Sequence, residues 1–237
     1  MKEVVPGIYM MEGLLGANVY LLISGRGAVL VDSGVRTDAD KIIAQVSQAG
    51  KALTVNSIVI THFHGDHVGG AAKLANHWGA QVMADREDAP FIAKPASIPA
   101  LSSLKQLVNW LGANLVLRSS PCKVEWILED GDRIEALNGC VIIHTPGHTA
   151  GSMCLYQPER QILLCGDAIY NLNPLTQKRG MGQYLQPITL DNALALQSAR
   201  KLASLPIKVI CFGHGQPIVE GAGELMAQLV ASIDSRS

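Results

Sequence analysis

The sequence predicts a layered α/β fold, and three features predict it. Short, β-branched apolar runs alternate with helix-like stretches. The runs at 28–31, 58–60, 141–143, 162–165 and 209–212 are too short for helices and read as buried strands. Most of them end in a polar, glycine-bearing segment: Asp32-Ser33-Gly34, the His62–His67 stretch, Gly166-Asp167 and Gly213-His214-Gly215. Open α/β sheets place their chemistry at such carboxyl ends.

In chain order, 18–23 and 28–31 form strands joined by the turn Ser24-Gly25-Arg26-Gly27. A helix follows over 37–49, with Thr37, Asp38 and Asp40 at its start and Ile42, Ile43 and Val46 on one face. Gly50 ends it. Strand 58–60, helix 71–78 and strand 81–84 continue the alternation. The region 86–121 breaks it with Pro90, Pro95, Pro99 and Pro121. There Leu101, Leu104, Leu107, Val108, Leu111 and Leu115 form a helical stripe. This predicts an inserted helical segment that either packs as core or covers the site. Strands return at 122–128, 133–137 and 141–143, then a hairpin pair at 153–156 and 162–165. A polar loop at 171–188, a helix at 190–205, strand 209–212 and a helix at 221–233 complete the chain. One domain over 1–237, built of two αβ halves, is expected.

Composition narrows the function. The 237 residues carry a net charge of -1, with 48% hydrophobic and 16% charged residues. No basic run suggests nucleic acid, and no apolar stretch suggests a signal peptide or membrane span. The five cysteines, Cys122, Cys140, Cys154, Cys165 and Cys211, include no CxxC pair and fit reduced thiols in a cytoplasmic protein. The expected partner is a small-molecule substrate, and a homodimer is allowed.

The chemistry concentrates at His62, His64, Asp66 and His67, directly after the run 58–60. His62 and His64 point the same way if the backbone stays extended. Neutral imidazoles and carboxylates suit zinc and similar divalent ions. Three more donors, His148, Asp167 and His214, follow separate apolar runs. Each alone reads as a turn residue; together they suit a shared metal site. Asp32 either orients a metal histidine or caps a turn. His144 is expected to pack nearby, and His77 to lie on a helix surface.

This ordered set resembles the metallo-β-lactamase-fold hydrolase superfamily over 62–214, and Asp32-Ser33-Gly34 extends the likeness toward the N-terminus. The resemblance implies a four-layer αβ/βα sandwich with the site at one edge. It implies one ion on His62, His64 and His148, another on Asp66, His67 and His214, and Asp167 bridging. Zinc is the first expectation, with iron or manganese as alternatives. Two such ions roughly 3.5–4 Å apart share a water and lower its pKa toward about 7. The expected reaction is hydrolysis of a small ester, lactone or thioester, with Asp66 passing a proton to the leaving group.

True β-lactamases of the fold lack the bridge, so antibiotic hydrolysis is not the expected activity. Cys165, two residues before Asp167, reads as core. Tyr170 resembles the tyrosine that hydrogen-bonds the substrate carbonyl in quorum-quenching lactonases; its other reading is a strand-end aromatic. Glyoxalase II thioesterases share the ligand set, but Asn171-Leu172-Asn173-Pro174 stands where they carry a Gly-Cys-Gly-Arg-like stretch. A mononuclear-iron sulfur dioxygenase on the same scaffold is the other alternative. Lys178, Arg179 and Tyr184 are candidates for contacting an anionic part of the substrate.

Overall fold

The structure is a computed structural model that describes residues 1–25, 27–50, 53–94, 119–136, 139–173, 175–183 and 188–235. Seven strands form the first sheet in sequential order: β1 (Lys2–Val5), β2 (Ile8–Met10), β3 (Tyr20–Ser24), β4 (Gly27–Val31), β5 (Thr54–Val59), β6 (Gln81–Asp85) and β7 (Trp126–Leu128). Neighbours are antiparallel up to β4 and parallel from β4 to β7. Parallel neighbours need crossovers. Helix α1 (Ala39–Ala49) supplies the one from β4 to β5. The short α2 (Gly65–Val68) and α3 (Ala71–Trp78) supply the one from β5 to β6.

The second sheet contains β8 (Arg133–Ile134), β9 (Cys140–His144), β10 (Met153–Gln157), β11 (Ile162–Leu164) and β14 (Val209–Cys211), in the order β14-β11-β10-β9-β8. Helix α5 (Asn192–Ala203) lies between β11 and β14 in sequence, and α6 (Ala222–Asp234) follows β14.

Side-chain alternation along the strands explains the layering, because successive residues face opposite sides of a sheet. Leu21, Leu30 and Ile58 face outward and pack with Ile42, Val46 and Leu74 of the first helices. Their neighbours Leu22, Val31 and Val59 face inward and meet Ile142, Leu155, Leu164 and Cys211 of the second sheet. From there Ile143, Leu163 and Ile210 face out against Ala199, Leu202 and Met226. Three apolar interfaces thus separate helix, sheet, sheet and helix, the expected four-layer αβ/βα sandwich. The strands read as continuous apolar runs because both of their faces are covered.

Three expectations need correction. The segment 171–188 is not simply a loop: β12 (Tyr170–Leu172) and β13 (Arg179–Gly182) pair antiparallel as a separate two-stranded sheet. Among the described residues, the strand expected over 122–128 is confined to β7, and the one over 133–137 to β8. Within the expected insertion near 86–121, α4 (Ala89–Ala93) is helical. The leucine stripe from Leu101 to Leu115 lies outside the described residues, as does Tyr184. Among the described residues, no helix is long and apolar enough to cross a membrane.

Candidate metal centre

Four strand ends meet at one edge of the sandwich. β5 leads into His62 and His64, with Asp66 and His67 on α2; β9 leads to the turn carrying His148, β11 to Asp167 and β14 to His214. Backbone hydrogen bonds tie these ends together. Met153 N donates to Thr61 O at 3.0 Å, Gly213 N to Gly166 O at 2.8 Å and Asn18 N to Gly213 O at 2.7 Å. The fit at Gly213 admits no side chain: a Cβ there would collide with Asp167 Oδ1 and His67 Cε1.

The donors form two separate trios, linked by a third group of His62, His67 and Asp167. His64 Nδ1 lies 3.1 Å from His62 Nε2 and 3.0 Å from His148 Nε2. His214 Nε2 lies 3.1 Å from Asp66 Oδ2, which is 4.0 Å from His67 Nε2. Asp167 sits between the trios. Its Oδ1 is 3.4 Å from His67 Nε2, and its Oδ2 is 3.6 Å from both His148 Nε2 and His214 Nε2. Within each trio the donor atoms all lie within 4.8 Å of one another. Ligands bonded at about 2.0–2.1 Å to one ion stand roughly 2.9–3.4 Å apart for octahedral to tetrahedral angles, so the three-histidine spacing suits a shared cation.

Two buried atoms make the same point. His67 Nε2 and Asp167 Oδ1 have no hydrogen-bond partner, since their 3.4 Å approach is an ion-pair contact only. Orphaned buried polar atoms are costly unless something unseen satisfies them, and a divalent cation between them would. His67 Nδ1 faces Asp32 Oδ2 at 2.8 Å. A donated Nδ1–H there leaves the lone pair of Nε2 facing the cluster, as a metal ligand would require. Asp32 is itself held in a left-handed conformation, φ 63°, and accepts from Thr61 N and Oγ1. Of its two readings, the structure shows the one that orients a histidine.

Electrostatics differ between the trios. Burial holds His62 well below the usual histidine range and lowers His64, and it pushes His148 down to about 4. Burial also works against ionisation of Asp66, yet His67 and His214 outweigh it and hold the carboxyl at about 2. Asp167 is likewise depressed against its burial, by His214 and His67. Conversely, Asp167, Asp32 and Asp66 overcome burial and raise His67 well above its ordinary value; Asp167 and Asp66 raise His214. Burial thus lowers the three-histidine side, whereas surrounding carboxylates raise His67 and His214 on the other.

The remaining candidates are also placed. Tyr170 opens β12, half-buried, with its ring over Gly182. Asn171 N and Leu172 N donate to His214 O, so this strand is fastened beside the site. Cys165 is buried, with Sγ against the carbonyls of Ile169 and Cys211, and burial pushes its thiol up, so it is core. All five cysteines are buried and free. His144 Nε2 bonds Ala150 O at 3.0 Å, and His77 lies exposed on α3. Lys178 and Arg179 are exposed at the second hairpin strand.

Three supporting residues were missed. Asn18 Nδ2 donates to Phe212 O and Gly215 O on either side of His214. Asp38 accepts from Leu15 N, Gly16 N and Val35 N, holding the loop that lies on Asp66 O. Asp88 accepts from Phe63 N, between His62 and His64. It stands at the start of α4, three residues past the end of β6, where an aspartate reads as a local helix cap.

A two-sheet sandwich whose strand ends converge imidazoles and carboxylates defines a candidate metal centre of the αβ/βα class. The profile of the Metallo-beta-lactamase superfamily matches residues 13–214, and the chain belongs to that superfamily. A Bacillus subtilis strain 168 protein described as a probable metallo-hydrolase, YflN, is 28% identical over 216 residues, covering 85% of this chain and 81% of that one. The hydroxyacylglutathione hydrolase of Pseudomonas aeruginosa is 30% identical over 188 residues, covering 77% of this chain but only 54% of the enzyme. Among solved structures, TTHA1623 in a di-iron-bound form superposes with a TM-score of 0.67 at 28% identity, covering 92% of this chain and 96% of that one.

Proposed function

We propose that this metallo-hydrolase holds two divalent ions, zinc first, and cleaves a small ester, lactone or thioester. The observation that carries the reading is the pair of donor trios joined by Asp167, with His67 Nε2 and Asp167 Oδ1 buried and without hydrogen bonds between them. In this reading His62, His64 and His148 would hold one ion and Asp66, His67 and His214 the other, with Asp167 placed between the two trios. Bound there, divalent ions supply Lewis acidity, which makes water nucleophilic near neutral pH and polarises a carbonyl.

The chain's own groups then have distinct tasks. Asp32 fixes the tautomer of His67. Asp66, ionised and one-fifth exposed, takes a proton and returns it to the leaving group. The Tyr170 hydroxyl donates to the developing oxyanion. Beside His64, the Phe63 ring stacks on the exposed ring of Phe91 at 4.7 Å, which gives an acyl group an apolar wall.

A thioesterase reading has support in the hydroxyacylglutathione hydrolase likeness. That likeness spans about half of the enzyme's length, and the Asn171–Pro174 stretch lacks the glutathione-associated pattern. The di-iron relative keeps iron open as the resident metal. One panel tests the reading: lactones, thioesters, aryl esters, phosphodiesters and a β-lactam, offered to metal-quantified protein with and without chelator. Chelator-sensitive cleavage of a lactone, ester or thioester is expected. One iron per chain and no hydrolysis would favour the dioxygenase alternative instead.

A further inference from the structure

Asp88 stands at the N-terminal boundary of α4, where an aspartate normally accepts from its own helix's first amides. Its side chain makes no such bond. The carboxylate turns away and is almost completely buried, at 1% exposure. Oδ2 accepts from Phe63 N at 3.0 Å and from Thr149 Oγ1 at 2.8 Å, and Oδ1 accepts from Gly151 N at 2.8 Å. Phe63 separates His62 from His64; Thr149 follows His148. One carboxylate therefore joins the two loops that carry the three-histidine trio.

The surroundings show that this junction is built. Thr149 N donates to Ser152 Oγ at 3.0 Å, and that hydroxyl lies 2.8 Å from Thr149 Oγ1. An ionised Asp88 is acceptor-only, so the Thr149 hydroxyl must donate to it and Ser152 must donate to Thr149. Every proton in the chain is thereby directed. Gly151 is required, because a Cβ there would lie 2.7 Å from Asp88 Cγ and from Asp85 Oδ1. Among the described residues, no cation pairs with Asp88. Burying a carboxylate costs free energy unless hydrogen bonds compensate, and all three compensating bonds come from the metal-site loops.

We infer that Asp88 is a positioning residue for the three-histidine half of the centre, acting through Phe63 N and the Thr149 hydroxyl to set the spacing of His62, His64 and His148. The inference rests on the two-ion reading above. The Asp66, His67 and His214 trio is held by other groups, namely Asp32, Ser33 and Asn18, so losing Asp88 acts on one ion and not both.

The test is stepwise zinc affinity by competition with a chromophoric chelator, on intact protein without substrate. His148→Ala and His214→Ala identify which constant belongs to which trio. Asp88→Asn offers one acceptor oxygen where two are used. It should weaken zinc at the three-histidine trio by about 10- to 100-fold, the usual effect of removing a supporting group, and leave the other constant unchanged. Thr149→Val should shift the same constant, and Thr149→Ser should restore it. This threonine pair decides the matter even if Asp88→Asn folds poorly. Equal losses at both trios, wild-type constants in Asp88→Asn and Thr149→Val, or a Thr149→Ser loss as large as that of Thr149→Val would overturn the inference. A wild type that takes up no zinc would instead overturn the two-ion reading and this inference with it.

Discussion

His67 shows what a single side chain does here. One ring nitrogen faces Asp32 at 2.8 Å and the other, buried, faces the cluster without a hydrogen bond. Asp66 shares the space but carries a different duty. Asp66→Asn keeps the shape and removes the proton-accepting charge, so turnover should fall by about 10²- to 10⁴-fold, the usual range for a general acid–base. The check is kcat on protein whose metal content matches wild type; near-normal turnover removes the role. Tyr170→Phe should cost about 2–4 kcal/mol of transition-state stabilisation, as at other oxyanion donors. The loss should appear in kcat for the best substrate, and an unchanged rate would leave Tyr170 as an aromatic covering Gly182.

At the scale of elements, the centre depends on how closely the strand ends approach. β14 delivers His214 through Phe212 and Gly213, and Gly213 has space for hydrogen only. Gly213→Ala should displace Asp167 or His67. Zinc affinity at the Asp66, His67 and His214 trio should drop by at least about 10-fold, read by the same chelator competition, while the circular dichroism of the fold persists. Wild-type affinity would mean that the edge yields more readily than the contacts indicate.

Legibility in the sequence follows from the same geometry. Donors at the ends of continuous apolar runs, such as His62, Asp167 and His214, announced themselves because strand and ligand are adjacent in sequence. Asp38 and Asp88 did not. Both stand at helix starts, where an aspartate ordinarily acts locally, and both send their carboxylates to distant loops instead. The β12–β13 hairpin was equally hidden. Its strands, Tyr170–Leu172 and Arg179–Gly182, are short, half-exposed and glycine-bearing, without apolar alternation. Pairing partners, not local preference, make them strands.

For the whole molecule, the two trios predict an asymmetric response to pH. His62, His64 and His148 are neutral at pH 7 because burial depresses them, so an ion entering there displaces few protons. His67 and His214 are raised by surrounding carboxylates, so protons compete more strongly with an ion entering their trio. Affinity there should fall more steeply as pH drops from 8 to 6, because protons and metal compete for the same nitrogens. Calorimetric zinc titrations in buffers of different ionisation enthalpy should show proton release concentrated in that step. Equal release from both steps would contradict the charge distribution. Ions that bind only the folded chain also stabilise it, by about 2.7 kcal/mol at 100 times Kd, so chelation should lower Tm.

Anomalous diffraction at the zinc edge, from crystals grown with excess zinc, tests the central claim most directly. Two peaks are predicted, one enclosed by His62, His64 and His148 and the other by Asp66, His67 and His214, with Asp167 reaching both. A single peak, or His148 or His214 rotated away from the cluster with no ion beside it, would contradict the account.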